Sequence, residues 1–238
     1  MAEWFAEWFG EEYLELYPHR DLEEATRLVD LLQRELPWQA GWRVLDCACG
    51  AGRHLEALQR AGATPFGFDL SAILLRRART ATSCPLVRAD LRHLPFRSGS
   101  MDLTVNLFTS FGYFDSDLEH EAALAEMLDT VRHGGWFAID FLYPEWVRQT
   151  LVASEVSTVG NRSIEIHRSL SEDGRHVRKR ITLESGRQFE ERVRLLEASD
   201  LERMLTDEGA ELTHRFGDYS GGPLGAGNRT ILLARVHR

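Results

Sequence analysis

The feature that most constrains this chain is a repeated change of rhythm along its first two thirds. "RVLDC" (43–47), "TPFGFDL" (64–70), "LVRAD" (86–90), "MDLTVNLF" (101–108) and "WFAIDFL" (136–142) are short, largely apolar runs. Between them, "AGRHLEALQRAG", "SAILLRRARTA" and "SDLEHEAALAEMLDTVRHGG" carry helical spacing. Strands that alternate with helices, several of them apolar on both faces, predict a parallel sheet covered on both sides. The expected fold is doubly wound α/β.

Outside that core the pattern differs. Ahead of it, Leu28, Leu31, Leu32 and Leu36 recur at helical spacing, with Asp21 as N-cap and Glu24 three residues on. After Trp146, "EVSTVG", "RSIEIHRSLS", "HVRKRITLES" and "RQFEERVRLLE" alternate apolar and polar residues between turns near Gly160, Gly174 and Gly186. They read as an antiparallel β insertion. "SDLERMLTDEGAEL" returns to helix, with Ser199 as N-cap and Gly209 as stop, and "RTILLARVH" ends as a strand. The expected organisation is a helical lid or cap at 1–40, a core at 41–145 and 197–238, and the insertion, on the substrate side, at 146–196.

A chain of 238 residues with 43% hydrophobic residues can bury one large core. "MAEWFAEWFG" carries acids where a signal peptide carries cations, and no apolar run approaches the ~20 residues of a membrane span. A cytoplasmic protein with no membrane partner is the expectation. A net charge of −9 argues against nucleic acid as main partner. Residues 161–196 are locally basic, nine Arg and Lys against six Asp and Glu, which raises the expectation of an anionic acceptor on that side.

"VLDCACGAGRH" (44–54) holds two of the three cysteines. A structural zinc site needs about four ligands in close pairs, and no second pair exists; the Cys-x-Cys spacing is also not that of a redox motif. No metal is expected. Cys47, Ala48 and Cys49 read instead as compact fillers of a strand-to-helix turn, in which Gly50 and Gly52 let a ligand lie against bare backbone at a helix N-terminus. Asp69 ends the second strand, where a ribose would be held. The third glycine of a dinucleotide turn is missing.

Asp46, Gly50, Gly52, Asp69, Asp90, "NLFTSFGYF" and "VRHGGWFAIDF" together resemble the class I S-adenosylmethionine-dependent methyltransferases, and "ACGAGRHL" is similar to the form found among small-molecule members, including aminosugar N-methyltransferases. The resemblance implies a Rossmann-like, mostly parallel seven-stranded sheet with an N-terminal helical segment and an antiparallel β insertion. It also implies S-adenosylmethionine as cofactor, S-adenosylhomocysteine as product, and methyl transfer to nitrogen or oxygen of a small molecule. Carried over by position, Ala48 and Gly50 approach the methionine part and Asp69 accepts both ribose hydroxyls. Asp90 accepts from the adenine amino group with Leu91 beside the ring, and Asn106 and Leu107 line the methionine end. Tyr17, Arg20, Asp46 and Leu70 complete the set, with Asp46 anchoring the loop through backbone amides.

Methyl transfer is an in-line displacement, so the protein aligns the reactants and excludes water. Candidates for a general base are Tyr113, Asp140 and Tyr143, with His54 and Tyr219 behind them. Tyr13, Tyr17, His19 and Arg20 are expected in a lid, and Arg168, Arg178 and Arg180 on the acceptor side. Three alternatives stay open at this point: a methyltransferase acting on RNA or protein, an NAD-dependent oxidoreductase, and a noncatalytic cofactor-binding protein.

Overall fold

The computed structural model describes residues 3–17, 22–159 and 162–237. In chain order the elements are α1 (Trp4–Trp8), α2 (Glu11–Leu16), α3 (Leu22–Glu35), β1 (Arg43–Cys47), α4 (Arg53–Arg60), β2 (Thr64–Asp69), α5 (Ala72–Ala81), β3 (Leu86–Arg88), β4 (Met101–Asn106), α6 (Asp117–Asp129) and β5 (Val131–Leu142). They continue as α7 (Pro144–Thr150), β6 (Ser154–Val159), β7 (Arg162–Leu170), β8 (His176–Leu183), β9 (Gln188–Arg194), α8 (Ala198–Asp207), β10 (Ala210–Phe216) and β11 (Arg229–Val236).

Seven strands form one sheet in the order β10-β11-β5-β4-β1-β2-β3. Parallel pairing runs from β5 to β3, and β11 enters antiparallel between β5 and β10. Successive side chains of a strand point to opposite faces, so a sheet covered on both sides needs apolar residues at every position. In β5, Phe137, Ile139 and Phe141 enter one core with α6 and α8, while Trp136 and Ala138 enter the other with α3 and α4. β11 divides likewise: Leu232, Ala234 and Val236 on one side, Ile231 and Leu233 on the other. The chain winds outward from β1 through β2 to β3 and then returns to β1's other side as β4, which creates a crevice at the carboxyl ends of β1 and β4.

β6 to β9 form a separate antiparallel sheet in sequential order. Its inner face, Ile164, Ile166, Ile181 and Phe189, packs on Trp8 and Leu16 of the N-terminal helices. The aromatic run at the N-terminus is therefore packing against the insertion, with Trp8 and Phe189 rings 4.5 Å apart.

Two local expectations are corrected. The helix expected over 116–135 stops at Asp129, because β5 begins at Val131. There the register jumps from Met101↔Val131 to Leu103↔Trp136, and the extra residues fit only with glycine: a Cβ on Gly135 would stand 2.7 Å from Val131 Cγ1. The N-cap of α8 is Glu197, whose capping box closes with Asp200, and Ser199 lies inside the helix. The expected cap at Asp21 lies outside the described residues.

Candidate functional site

β1 ends in a turn that carries three left-handed residues, Ala48 (φ 57°), Gly50 (φ 56°) and Gly52 (φ 87°). At Ala48 that conformation costs about 1–2 kcal/mol. Gly52 is constrained twice, since a Cβ there would also come within 3.1 Å of Ala78 on α5. Gly52 is the N-cap of α4 and offers no side chain, so the first amides of that helix face the crevice uncapped. The thiols of Cys47 and Cys49 are buried, and burial raises both pKa values, as suits filler rather than nucleophile.

Asp69 closes β2 opposite this turn. Its Oδ2 accepts from the Gly50 amide and its Oδ1 from the Ser71 amide, each at 2.8 Å. Burial raises its pKa, and the backbone donors, led by Ser71, pull against that rise. The carboxylate expected to anchor the loop, Asp46, does not: it is buried, its Oδ2 has no hydrogen-bond partner, and Asp69 holds Gly50 instead. Desolvation, with Asp69 nearby, pushes the Asp46 pKa up to about 8.

One cavity collects Tyr17, Ala48, Gly50, Asp69, Leu70, Asp90, Leu91 and Leu107. Asp46 and Asn106 stand behind its wall. Asn106 is fully buried and its amide nitrogen donates to the Cys47 carbonyl of β1 at 3.2 Å, so it braces the two strand ends. Arg20 and His19 lie outside the described residues. Asp90 is clamped by a residue that the sequence reading missed: Arg92 donates to both of its oxygens, at 3.0 and 2.7 Å, lowering its pKa, and also reaches Glu3 and Glu119. The two-residue spacing of an acid and an arginine was the available signal. Phe5, Phe9 and Phe114 also line this cavity. So does His54, which desolvation and the charges of Arg53 and Arg229 hold well below its usual pKa and therefore neutral at pH 7.

A second cavity adjoins the first, between the N-terminal segment, α7 and the inner face of the four-stranded sheet. Phe9, Tyr13, Phe108 and Tyr113 line both and form a collar between them. Phe108 and the next residue, Thr109, are left-handed (φ 58° and 59°), and Asp140 holds them so: Phe108 N–H donates to Asp140 Oδ2 at 2.9 Å and Thr109 N–H to its carbonyl at 2.9 Å.

The three base candidates separate here. Tyr113 stands in the collar, its hydroxyl donating to the Thr109 carbonyl at 2.6 Å. Asp140 is fully buried and engaged by Arg229 Nε (2.7 Å) and the Tyr219 hydroxyl (3.0 Å), which makes it a brace of the collar. Tyr143 is the N-cap of α7 and lines neither cavity.

On the insertion, Arg168 reaches the second cavity, but Arg178 and Arg180 are exposed on the opposite face of β8. Lys179 and Val177 point inward. Alternation pairs Arg178 with Arg180 but does not say which face is which; the parity of Val177, Ile181 and Leu183 does, and it selects Lys179. Among the described residues no cluster of three metal-ligating side chains forms. Among the described residues, no helix is long and apolar enough to cross a membrane.

S-Adenosylmethionine is tested against this geometry. The first cavity offers open backbone at Gly50, where an added Cβ would meet nothing closer than 4.0 Å. It also offers an uncapped helix N-terminus and the buried carboxylate of Asp69. A zwitterionic amino acid joined to a ribonucleoside fits that donor and acceptor set.

Comparison with known proteins agrees. Residues 44–135 match a methyltransferase domain family. The chain is 30% identical over 173 residues to the dTDP-3-amino-3,4,6-trideoxy-alpha-D-glucopyranose N,N-dimethyltransferase of Streptomyces venezuelae, covering 65% of this chain and 71% of that one. An S-adenosylmethionine-dependent methyltransferase from Clostridium acetobutylicum superposes with a TM-score of 0.78 at 18% identity, over 95% of this chain and 97% of the other. An amino pentose methyltransferase from Micromonospora echinaspora, solved with S-adenosylmethionine bound, gives 0.69 at 21% identity, over 94% and 96%. With its doubly wound sheet, its glycine turn and these relatives, the chain belongs to the class I S-adenosylmethionine-dependent methyltransferases.

Proposed function

We propose that the first cavity holds the cofactor and the second a small-molecule acceptor, with methyl transfer at the collar between them. The observation that carries this reading is the shared wall of Phe9, Tyr13, Phe108 and Tyr113. S-Adenosylmethionine supplies an electrophilic methyl group on a cationic sulfur that departs as a neutral thioether. Asp69 receives the two ribose hydroxyls, and the α4 amides with the Ala48–Gly50 backbone receive the methionine part. Leu70 and Leu91 enclose the adenine, and Asp90, held by Arg92, accepts from its amino group.

The collar aligns the acceptor atom and excludes water. His54, being neutral, adds no positive charge beside a sulfonium. Asp140 is committed to Arg229, so it is not the base, and the acceptor reacts as a neutral amine. Relatives that act by name on amino sugars support an amine. The N-terminal segment closes both cavities as a lid, tied down by the Ser71 hydroxyl donating to the Phe9 carbonyl at 2.5 Å. An anionic acceptor gains no support from the second cavity, whose cations are paired.

Thermal unfolding with S-adenosylmethionine, S-adenosylhomocysteine and NADH tests the reading. Ligand at about 100 times its Kd adds about 2.7 kcal/mol, or roughly 5–11 °C for a chain of this size. A shift with the first two ligands alone is expected, and a shift with NADH alone would overturn the assignment.

A further inference from the structure

The second cavity carries three cations, and each already faces a carboxylate. Arg168 Nη2 lies 2.7 Å from Glu155 Oε1, Lys179 Nζ 3.8 Å from Glu191 Oε2, and Arg229 Nε 2.7 Å from Asp140 Oδ1. Glu191 is held further by the Trp8 indole N–H at 2.7 Å and the Tyr17 hydroxyl at 3.3 Å. A phosphate or carboxylate entering here would meet Glu155 and Glu191 on the same wall. To bind, it would have to displace them from their partners, leaving a half-buried carboxylate uncompensated. Among the described residues, the charges of this wall hold one another and leave no cation for an anion.

The rim is different. Trp146 is 45% exposed and Val152 53% exposed, both large apolar residues at the mouth of a concave site. Single exposed apolar residues are ordinary, but these two flank Val147 and Leu151 on the same cavity, so the exposed surface is continuous with an apolar wall. Trp146 is set there by α7, which starts with Pro144 at its N-terminus. Pockets that read a ligand by shape carry an apolar body and a few oriented polar groups, and here Trp146 and Val152 are more exposed than the paired Arg168, Lys179 and Glu191.

Resting on the reading of this cavity as the acceptor site, we propose that the acceptor is an amphipathic amine without phosphate. Its alkyl or aryl body lies against Trp146 and Val152, and its amino group points to the collar. Trp146 and Val152 are then specificity-determining residues.

The test uses the full chain loaded with S-adenosylhomocysteine and titrated calorimetrically with two probes, 2-phenylethylamine and glucosamine 6-phosphate. The aryl amine is expected to bind at least about tenfold more tightly, and Trp146→Ala to weaken it by about tenfold, a factor of the size that a lost aromatic contact gives. Leu118→Ala, an exposed apolar residue outside both cavities, is expected to change nothing. Equal or tighter binding of the phosphorylated sugar overturns the proposal. So does no binding of the aryl amine, or binding indifferent to Trp146→Ala. Failure of S-adenosylhomocysteine itself to bind overturns the functional reading beneath it, and the loading step shows this before either probe is added.

Discussion

The two cavities are built by opposite means. The first cavity, the proposed cofactor site, is made mostly of backbone: three left-handed residues in the turn after β1, an uncapped helix start, and one carboxylate that fixes the turn. The second cavity, the proposed acceptor site, is made of side chains from the N-terminal segment, α7 and the second sheet, which meet across as many as 183 residues of sequence. Backbone turns are local and repeat wherever the same ligand is bound. Side-chain walls can change without disturbing the core, and that difference lets one fold keep its cofactor and vary its acceptor.

Breaking the junction between the two regions has the largest expected effect. Trp8 is buried against Phe189 and donates to Glu191. Trp8→Ala should cost about 3–5 kcal/mol of packing. Trp8 of α1 and Leu16 of α2 pack on the same sheet, so the loss is read as faster amide exchange across residues 3–17 with the core sheet unaffected; unchanged exchange would mean that the contact does not hold this segment.

On the cofactor side, Gly52→Ala meets both a left-handed φ and a close Ala78, and should cost about 1–3 kcal/mol. At about 2–4 °C per kcal/mol, that is a fall in Tm of several degrees. A variant as stable as the parent would show that the turn has room that the geometry denies.

Asp46 gives a pH signature. Its carboxyl has a pKa near the ordinary 3.8 when unfolded and about 8 when folded, so between those values the folded state binds more protons and stability falls as pH rises. Asp46→Asn should remove that slope, gaining on the parent between about pH 5 and about pH 8. Parallel curves for the two proteins would contradict a protonated Asp46.

The smallest effect sharpens the contrast on the acceptor side. Arg178→Ala, on the exposed face of β8, should leave stability within about 0.5 kcal/mol and acceptor binding unaltered. Lys179→Ala, one residue on, takes one of three partners from the part-buried Glu191 and should cost more stability than Arg178→Ala.

The same contrast explains what could be read from the sequence. Strand and helix rhythm, the glycine turn and Asp69 are local signals, and they led to the sheet and to one end of the site. Asp140 looked like a base because its partners, Arg229 and Tyr219, arrive from strand and loop segments about 80–90 residues later. Asp46 looked like an anchor because sequence does not reveal which carboxylate the Gly50 amide reaches, and the fold gives that amide to Asp69. Lys179 was passed over for Arg178 and Arg180 because charge was counted before the parity of the apolar residues. The end of α6 was misread because a glycine pair after a helix signals a stop and equally a strand bulge.

Asp69 and the turn after β1 are proposed to hold the cofactor. Calorimetric titration of S-adenosylhomocysteine into the parent protein and into Asp69→Asn tests this most directly. Hydrogen bonds to a charged group contribute about 1.5–3 kcal/mol, so the variant should bind roughly 10- to 100-fold more weakly while its far-ultraviolet spectrum stays unchanged. Equal affinity in the two proteins would contradict the account.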